Sequence, residues 1–454
     1  MRDESYATEV RDQYEQYPFP YRRPEDERQR LIVSEVDHLS KIDHHCFGGR
    51  RDFTKPLRIL VAGGGTGDAL IFLAEQLRGA PCEFVFLDMS ARSLEIARAR
   101  CAERGIERVQ WVHGSLLELD SLGLGEFDYI NCIGVLHHLP EPRAGLEQLT
   151  RSLAVEGGMG LMLYGKYGRK NAYLVQELLG LMQPDDESLA SRVEVARAAL
   201  LDLGETRRIK IDDAARELLR SREADAYLVD TYLHGVDRAY TVSDLYELLT
   251  SCGLSMAGFT NFFDAQGASC ALEYDPGLYF QEPHLINRVG ALAPAERGHI
   301  AELLNGSISM HAFYVSRRVG AAAAVVDPEH AAYPTTTYAQ RAFDALLADT
   351  PDRVQLLLAG GLQRELPLTP TAHRVLAAID GRTPLGQLLR DLSSGSSERE
   401  RIEREVYGLL DLLTRLGLVS LRLASLPPLA PGPSERPWNG AIDLRSFASL
   451  ATNG

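Results

Sequence analysis

Between Arg58 and Asp88 the chain runs through an apolar stretch, a glycine cluster, an amphipathic stretch, a second apolar stretch and an acid. That order leaves few folds open. Ile59-Leu60-Val61-Ala62 is short, bounded by Pro56 and the glycines, and suits a strand buried on both faces. Gly63-Gly64-Gly65-Thr66-Gly67-Asp68 follows. Glycines there allow positive φ and let backbone N–H groups approach a ligand with no side chain in the way. Ala69 to Leu77 reads as a helix whose free N–H groups and partial positive charge point at whatever sits over the turn. Phe84-Val85-Phe86-Leu87 reads as the second strand, and Asp88 at its carboxyl end is placed to accept hydrogen bonds from a ribose diol. The stretch implies a nucleoside-containing cofactor at the carboxyl edge of a parallel sheet.

The glycine spacing is G-x-G-x-G, through Gly63, Gly65 and Gly67. A dinucleotide fingerprint needs a glycine one place later, where this chain has Asp68. An acid at the helix start repels a pyrophosphate but tolerates a zwitterionic amino acid, which favours S-adenosylmethionine over NAD. The stretch resembles the cofactor-binding motif of the class I S-adenosylmethionine-dependent methyltransferases. The resemblance continues through Leu87-Asp88-Met89-Ser90, His113-Gly114-Ser115-Leu116, Phe127-Asp128-Tyr129-Ile130 and Gly134-Val135-Leu136-His137-His138-Leu139-Pro140. It implies an enzyme with a Rossmann-like, doubly wound α/β sheet of seven strands, the last antiparallel. Two positions depart from the family pattern. Val61 stands where an acid often orders the glycine loop, and Ser115 where an acid often faces the adenine amine.

Composition sets the frame. A chain of 454 residues exceeds one ordinary core, so two or three domains are expected. A hydrophobic share of 45% and a charged share of 24% are those of a globular protein. No apolar run approaches the roughly 20 residues of a membrane span, and Met1-Arg2-Asp3-Glu4 does not begin a secretion signal. Six scattered cysteines without a C-x-x-C pair suggest neither a disulfide framework nor zinc, and a cytoplasmic location is expected. A net charge of -15 argues against nucleic acid as the main partner.

Residues 1–55 are expected to form an N-terminal arm. Its stretch Tyr17-Pro18-Phe19-Pro20-Tyr21-Arg22 is stiffened by two prolines and suits either a lid over the pocket, with Tyr17, Tyr21 and Arg22 touching substrate, or an arm that packs on the core through Tyr17, Phe19 and Tyr21. His38, Asp43, His44, His45 and Cys46 fit no zinc spacing and read as a solvated loop. Residues 56–320 carry the sheet, with a helical cap inserted at about 165–240. Alternating strands and helices place ligands just past the strands' carboxyl ends. The expected cofactor-binding set is Gly63, Gly65, Gly67, Asp88, Met89, Ser115, Leu116 and Ile133.

Methyl transfer from a sulfonium needs alignment of nucleophile, methyl and sulfur, and a base only where the acceptor is protonated. His137, Tyr164 and His234 are the candidate catalytic groups, with His138 less favoured as a base and Tyr167 placed against substrate. Asp230, Tyr232, His234, Asp237 and Arg238 form a polar cluster that lines the acceptor pocket or caps a surface loop. Lys166, Arg169 and Lys170 read as a solvated basic turn. No metal is expected.

Residues 321–337 read as a linker, 338–425 as a small α+β domain and 426–454 as a flexible tail. In the small domain a hairpin, three helices and a final strand resemble winged-helix peptide-binding or methyltransferase-regulatory domains. The acceptor is expected to be an oxygen or nitrogen of a peptide or specialised metabolite. A peptide or protein partner at the small domain, and a homodimer, are the other partners considered; no membrane is. The rival reading is a non-catalytic protein that binds S-adenosylmethionine as an effector.

Overall fold

The computed structural model describes residues 2–183, 187–204, 209, 213–264, 267–358, 362–393, 396–429 and 432. The arm holds helices α1 (Arg2–Gln16) and α2 (Leu39–Cys46). The core follows as β1 (Leu57–Ala62), α3 (Asp68–Gln76), β2 (Cys82–Asp88), α4 (Ala91–Glu103), β3 (Val109–His113), β4 (Phe127–Ile133), α5 (Pro142–Arg151) and β5 (Leu153–Tyr164). The cap contributes α6 (Lys170–Met182), α7 (Leu189–Asp202), α8 (Asp213–Leu219) and α9 (Asp225–Tyr232). Then come α10 (Val242–Ser251), β6 (Ser255–Phe259), α11 (Pro283–Gly290), α12 (Pro294–Asn305) and β7 (Met310–Ser316).

These seven strands form one sheet in the order β3-β2-β1-β4-β5-β7-β6. All run parallel except β7, which lies antiparallel between β5 and β6. Its two faces alternate residue by residue along β1. Ile59 and Val61 pack with α2, α3 and α4, while Leu60 and Ala62 pack with α5 and α10. Helices on both faces explain the unbroken apolar run, since Ile59 to Ala62 are all buried.

Three expectations need correction. Residues 39–46 are a helix buried against the sheet. Cys46 presses on Gly158, His45 stacks on Tyr314 at 4.7 Å, and Asp43 and His44 are almost wholly buried. Its polar residues meet protein partners, a nonlocal fact that spacing cannot show. The pair Gly157-Gly158 reads in sequence as a turn before a fifth strand at Met159 to Leu163, but both glycines lie within β5, which begins at Leu153 and shifts register against β4 between Phe127 and Tyr129. The expected linker contains strand β8 (His330–Pro334).

After β8 come α13 (Thr337–Asp349), the hairpin β9 (Arg353–Leu357) and β10 (Gln363–Pro367), α14 (Pro370–Ala377), α15 (Leu385–Leu392), α16 (Ser396–Arg415) and β11 (Val419–Leu423). The hairpin and final strand belong to separate sheets, because β11 pairs antiparallel with β8. Of the expected tail, residues beyond 429 other than Gly432 lie outside the described residues.

Candidate active site

The glycine loop leaves β1 through Gly63, at φ 65°, and passes Gly65 at 55° and Gly67 at 104°. These are left-handed angles that glycine adopts without penalty. Gly67 also permits a close approach between helices, since a Cβ there would lie 3.0 Å from Ala97 Cβ on α4. Asp88 ends β2 and accepts backbone N–H bonds from Gly65 and Ser90, both 2.8 Å long. Its carboxylate therefore ties the glycine loop to the next turn. Burial pushes its carboxyl up to about 6, against the pull of these two N–H bonds. The Met89 carbonyl meets His113 Nε2 at 3.0 Å. Ser115 caps the short helical turn beginning at Leu116, its Oγ accepting from the Leu117 N–H. Leu116 is buried, and Ile133 ends β4 half-buried. The cofactor-binding set predicted from sequence thus lies along one sheet edge.

The arm crosses this edge. Thr66 Oγ1 donates to the Pro20 carbonyl at 2.7 Å, and Ser90 Oγ to the Tyr14 carbonyl at 3.2 Å. Glu15 accepts from the Ala91 and Arg92 N–H groups, capping the free amides at the start of α4. Arg22 grips Asp68 with two nitrogens, at 2.6 to 3.1 Å, and buried Arg100 reaches the same carboxylate at 2.7 Å. Burial pushes the Asp68 carboxyl up, but the two guanidiniums win and hold it at about 2. Asp68 is thus the arm's clasp. A Cβ on Gly65 would stand 2.4 Å from the Phe19 carbonyl oxygen, so the arm lies directly on the loop.

Beyond β4 and β5 the structure gathers a buried polar cluster. His137 and Tyr164 stack at 3.7 Å, and His138 stacks on His234 at 3.9 Å. Asp230, from α9, accepts from Tyr14 at 3.0 Å and Tyr164 at 3.4 Å, and lies 3.9 Å from His138 Nε2. Both ring nitrogens of His137, and Nε2 of His138 and His234, are buried without a hydrogen-bond partner among the described residues. Burial lowers all three histidines, His138 to about 4 and His234 to about 3. They are therefore neutral at physiological pH. Buried polar atoms are usually paired, so these four nitrogens keep unused hydrogen-bonding capacity.

The remaining candidates lie elsewhere. Tyr17 packs on the cap core, and Tyr21 is exposed with its hydroxyl accepting from Arg23. Tyr167 points to His299, at 3.3 Å. Arg169 is no solvated turn residue. It is buried, pairs with Asp237 at 2.8 Å and lies 3.3 Å over the Tyr164 ring. Sequence reasoning missed Tyr14, which the helical spacing Val10, Gln13, Tyr14 on α1 could have revealed. Among the described residues no group of acids, histidines and cysteines has the arrangement of a metal site, and no helix is long and apolar enough to cross a membrane.

The residues present fit S-adenosylmethionine. The loop offers backbone without side chains, and Asp88 offers a carboxylate at the second strand's end.

Comparison with known proteins points the same way. A methyltransferase-domain family profile matches residues 60–159. An uncharacterized protein of Synechococcus sp. is 29% identical over 307 residues, covering 67% of this chain and 70% of that protein. The ubiquinone biosynthesis O-methyltransferase of Aromatoleum aromaticum is 33% identical over 97 residues, covering 21% of this chain and only 39% of its own length. PKMT2 from Rickettsia typhi, solved in complex with AdoHcy, shares the fold over 87% of this chain and 77% of its own, with 13% identity and a TM-score of 0.54. The strand order, the glycine loop and Asp88 agree with the profile match, and residues 60–159 carry a methyltransferase domain of the S-adenosylmethionine-dependent type.

Proposed function

We propose that the chain methylates an oxygen or nitrogen of a small metabolite or peptide received at the cluster of His137, His138, His234, Asp230 and Tyr164. The observation that carries this reading is the set of unpaired buried imidazole nitrogens beside the glycine loop. Bound S-adenosylmethionine supplies an electrophilic methyl group on a sulfonium. The chain's own residues orient the acceptor, exclude water and take a proton where the acceptor carries one. Neutral imidazoles suit that last role, because an imidazolium has no lone pair to offer. The first part of the arm, α1 through Arg22, is held over the glycine loop by side-chain links rather than by sheet pairing, and it lifts to admit cofactor and acceptor while α2 stays in place. Incubation with label-bearing S-adenosylmethionine and a panel of phenols, alcohols, amines and peptides tests the reading. Labelled product is expected with wild type, with at least a tenfold loss (about 1.4 kcal/mol) in His137→Phe. Tight cofactor binding with no transfer to any acceptor would support the non-catalytic rival.

A further inference from the structure

His138 and His234 both hydrogen-bond the same residue, Val236, and in opposite senses. His138 Nδ1 lies 2.9 Å from the Val236 carbonyl oxygen. A carbonyl can only accept, so Nδ1 carries the proton and Nε2 keeps its lone pair. The Val236 N–H donates to His234 Nδ1 at 3.1 Å. That nitrogen therefore holds the lone pair, and the proton sits on His234 Nε2. One peptide residue thus fixes opposite tautomers on two rings stacked 3.9 Å apart. Both ε nitrogens, one an acceptor and one a donor, are buried without a partner among the described residues.

We infer that His138 Nε2 and His234 Nε2–H together receive a neutral hydroxyl group, so that the acceptor is an alcohol or phenol and His138 is its base. This rests on the methyltransferase reading and narrows it. A hydroxyl donates one hydrogen bond and accepts two, so it satisfies both rings and keeps a lone pair for the methyl group. An ammonium only donates and leaves His234 N–H unpaired; a carboxylate only accepts and leaves His138 Nε2 unpaired. On transfer the acceptor O–H bond breaks and its proton passes to His138 Nε2. The oxygen's electron pair forms the O–CH3 bond that replaces the methyl–sulfur bond, whose pair stays on the thioether sulfur. The Asp230 carboxylate, 3.9 Å from Nε2, faces the new imidazolium, and Asp237 adds negative charge from the loop behind. Arg169, His137 and the His234 ring are the groups that oppose the charge, and Tyr14 and Tyr164 bond Asp230 without adding any.

Nitrogen-15 spectroscopy of histidine-labelled protein, in complex with S-adenosylhomocysteine, tests this without turnover. His138 is expected protonated on Nδ1 and His234 on Nε2 at neutral pH, and the same tautomer on both rings overturns the inference. Millimolar phenol is expected to shift both ε nitrogens, whereas butylammonium and benzoate leave them unmoved. No shift with phenol, or equal shifts with all three, overturns the hydroxyl assignment. His138→Asn and His234→Asn keep an amide group for the Val236 bond and lose the ε nitrogen together with the rest of the ring. Each is expected to weaken phenol about tenfold while holding S-adenosylhomocysteine as wild type does. Unchanged phenol affinity in both overturns the inference. Failure to bind S-adenosylhomocysteine would instead sink the methyltransferase reading and leave the tautomers standing.

Discussion

Asp88 carries two tasks that pull against each other. Its carboxylate holds the glycine loop through Gly65 N–H, and its place at the end of β2 suits it to a ribose diol. Burial holds its carboxyl at about 6. A carboxyl raised in this way ionises only above that pH, and only the ionised form accepts hydrogen bonds at every oxygen site. S-adenosylmethionine affinity is therefore expected to be full above pH 6 and to fall as the pH drops through it. Calorimetric titration across that range checks the direction. Asp88→Asn is expected to bind at least about tenfold more weakly at neutral pH and to lose the pH dependence. Asp88 and the three glycines were legible in sequence because their roles are set within one strand–turn–helix–strand unit. The histidine tautomers were not. They depend on Val236, 98 residues beyond His138, and only the fold brings that residue within hydrogen-bond reach of the His138 ring.

At the scale of the element, the periodic segments of the core were legible, and the arm was not. The strands β1, β2 and β4 and the cap helices follow local apolar spacing. Helix α2 hid because its polar residues outnumber its apolar ones, and their partners come from far along the chain. Its seat against β5 makes a prediction. A Cβ at Gly158 would lie 2.4 Å from Cys46 Cβ and 2.5 Å from its Sγ, with no room for either to retreat between helix and sheet. Gly158→Ala is expected to cost about 1–3 kcal/mol by overpacking. Gly180→Ala, on α6 where an added Cβ meets nothing, is expected to stabilise by about 0.5–1 kcal/mol through reduced chain entropy in the unfolded state. Urea unfolding of the two variants checks both signs.

The whole molecule is held together by the same helix. Composition shifts suggested a C-terminal module joined by a linker, yet β11 docks on α2 and the turn after it. Leu423 N–H donates to the Gly49 carbonyl at 2.8 Å, Leu421 N–H donates to His44 Nδ1 at 3.1 Å, and Ala323 N–H donates to the His44 carbonyl at 2.7 Å. Arg422 pairs with buried Asp43 and donates to the Arg51 carbonyl at 2.7 Å. Burial raises the Asp43 carboxyl to about 6, and the Arg422 charge restrains that rise. Removing Arg422 would leave the Asp43 carboxylate buried without its paired cation, with the Arg51 N–H still donating to it at 2.8 Å. Arg422→Ala is expected to cost about 3–5 kcal/mol at neutral pH. A buried carboxyl held above its usual range costs stability only once it ionises, and losing Arg422 raises it further, so the mutant's deficit should shrink as the pH falls toward about 6 and level off below it. Because the interface runs through the core of both parts, wild type is expected to unfold calorimetrically in one transition. Two separated transitions, or an Arg422→Ala deficit that grows in acid, would mean that the C-terminal part is a module merely tethered to the methyltransferase core.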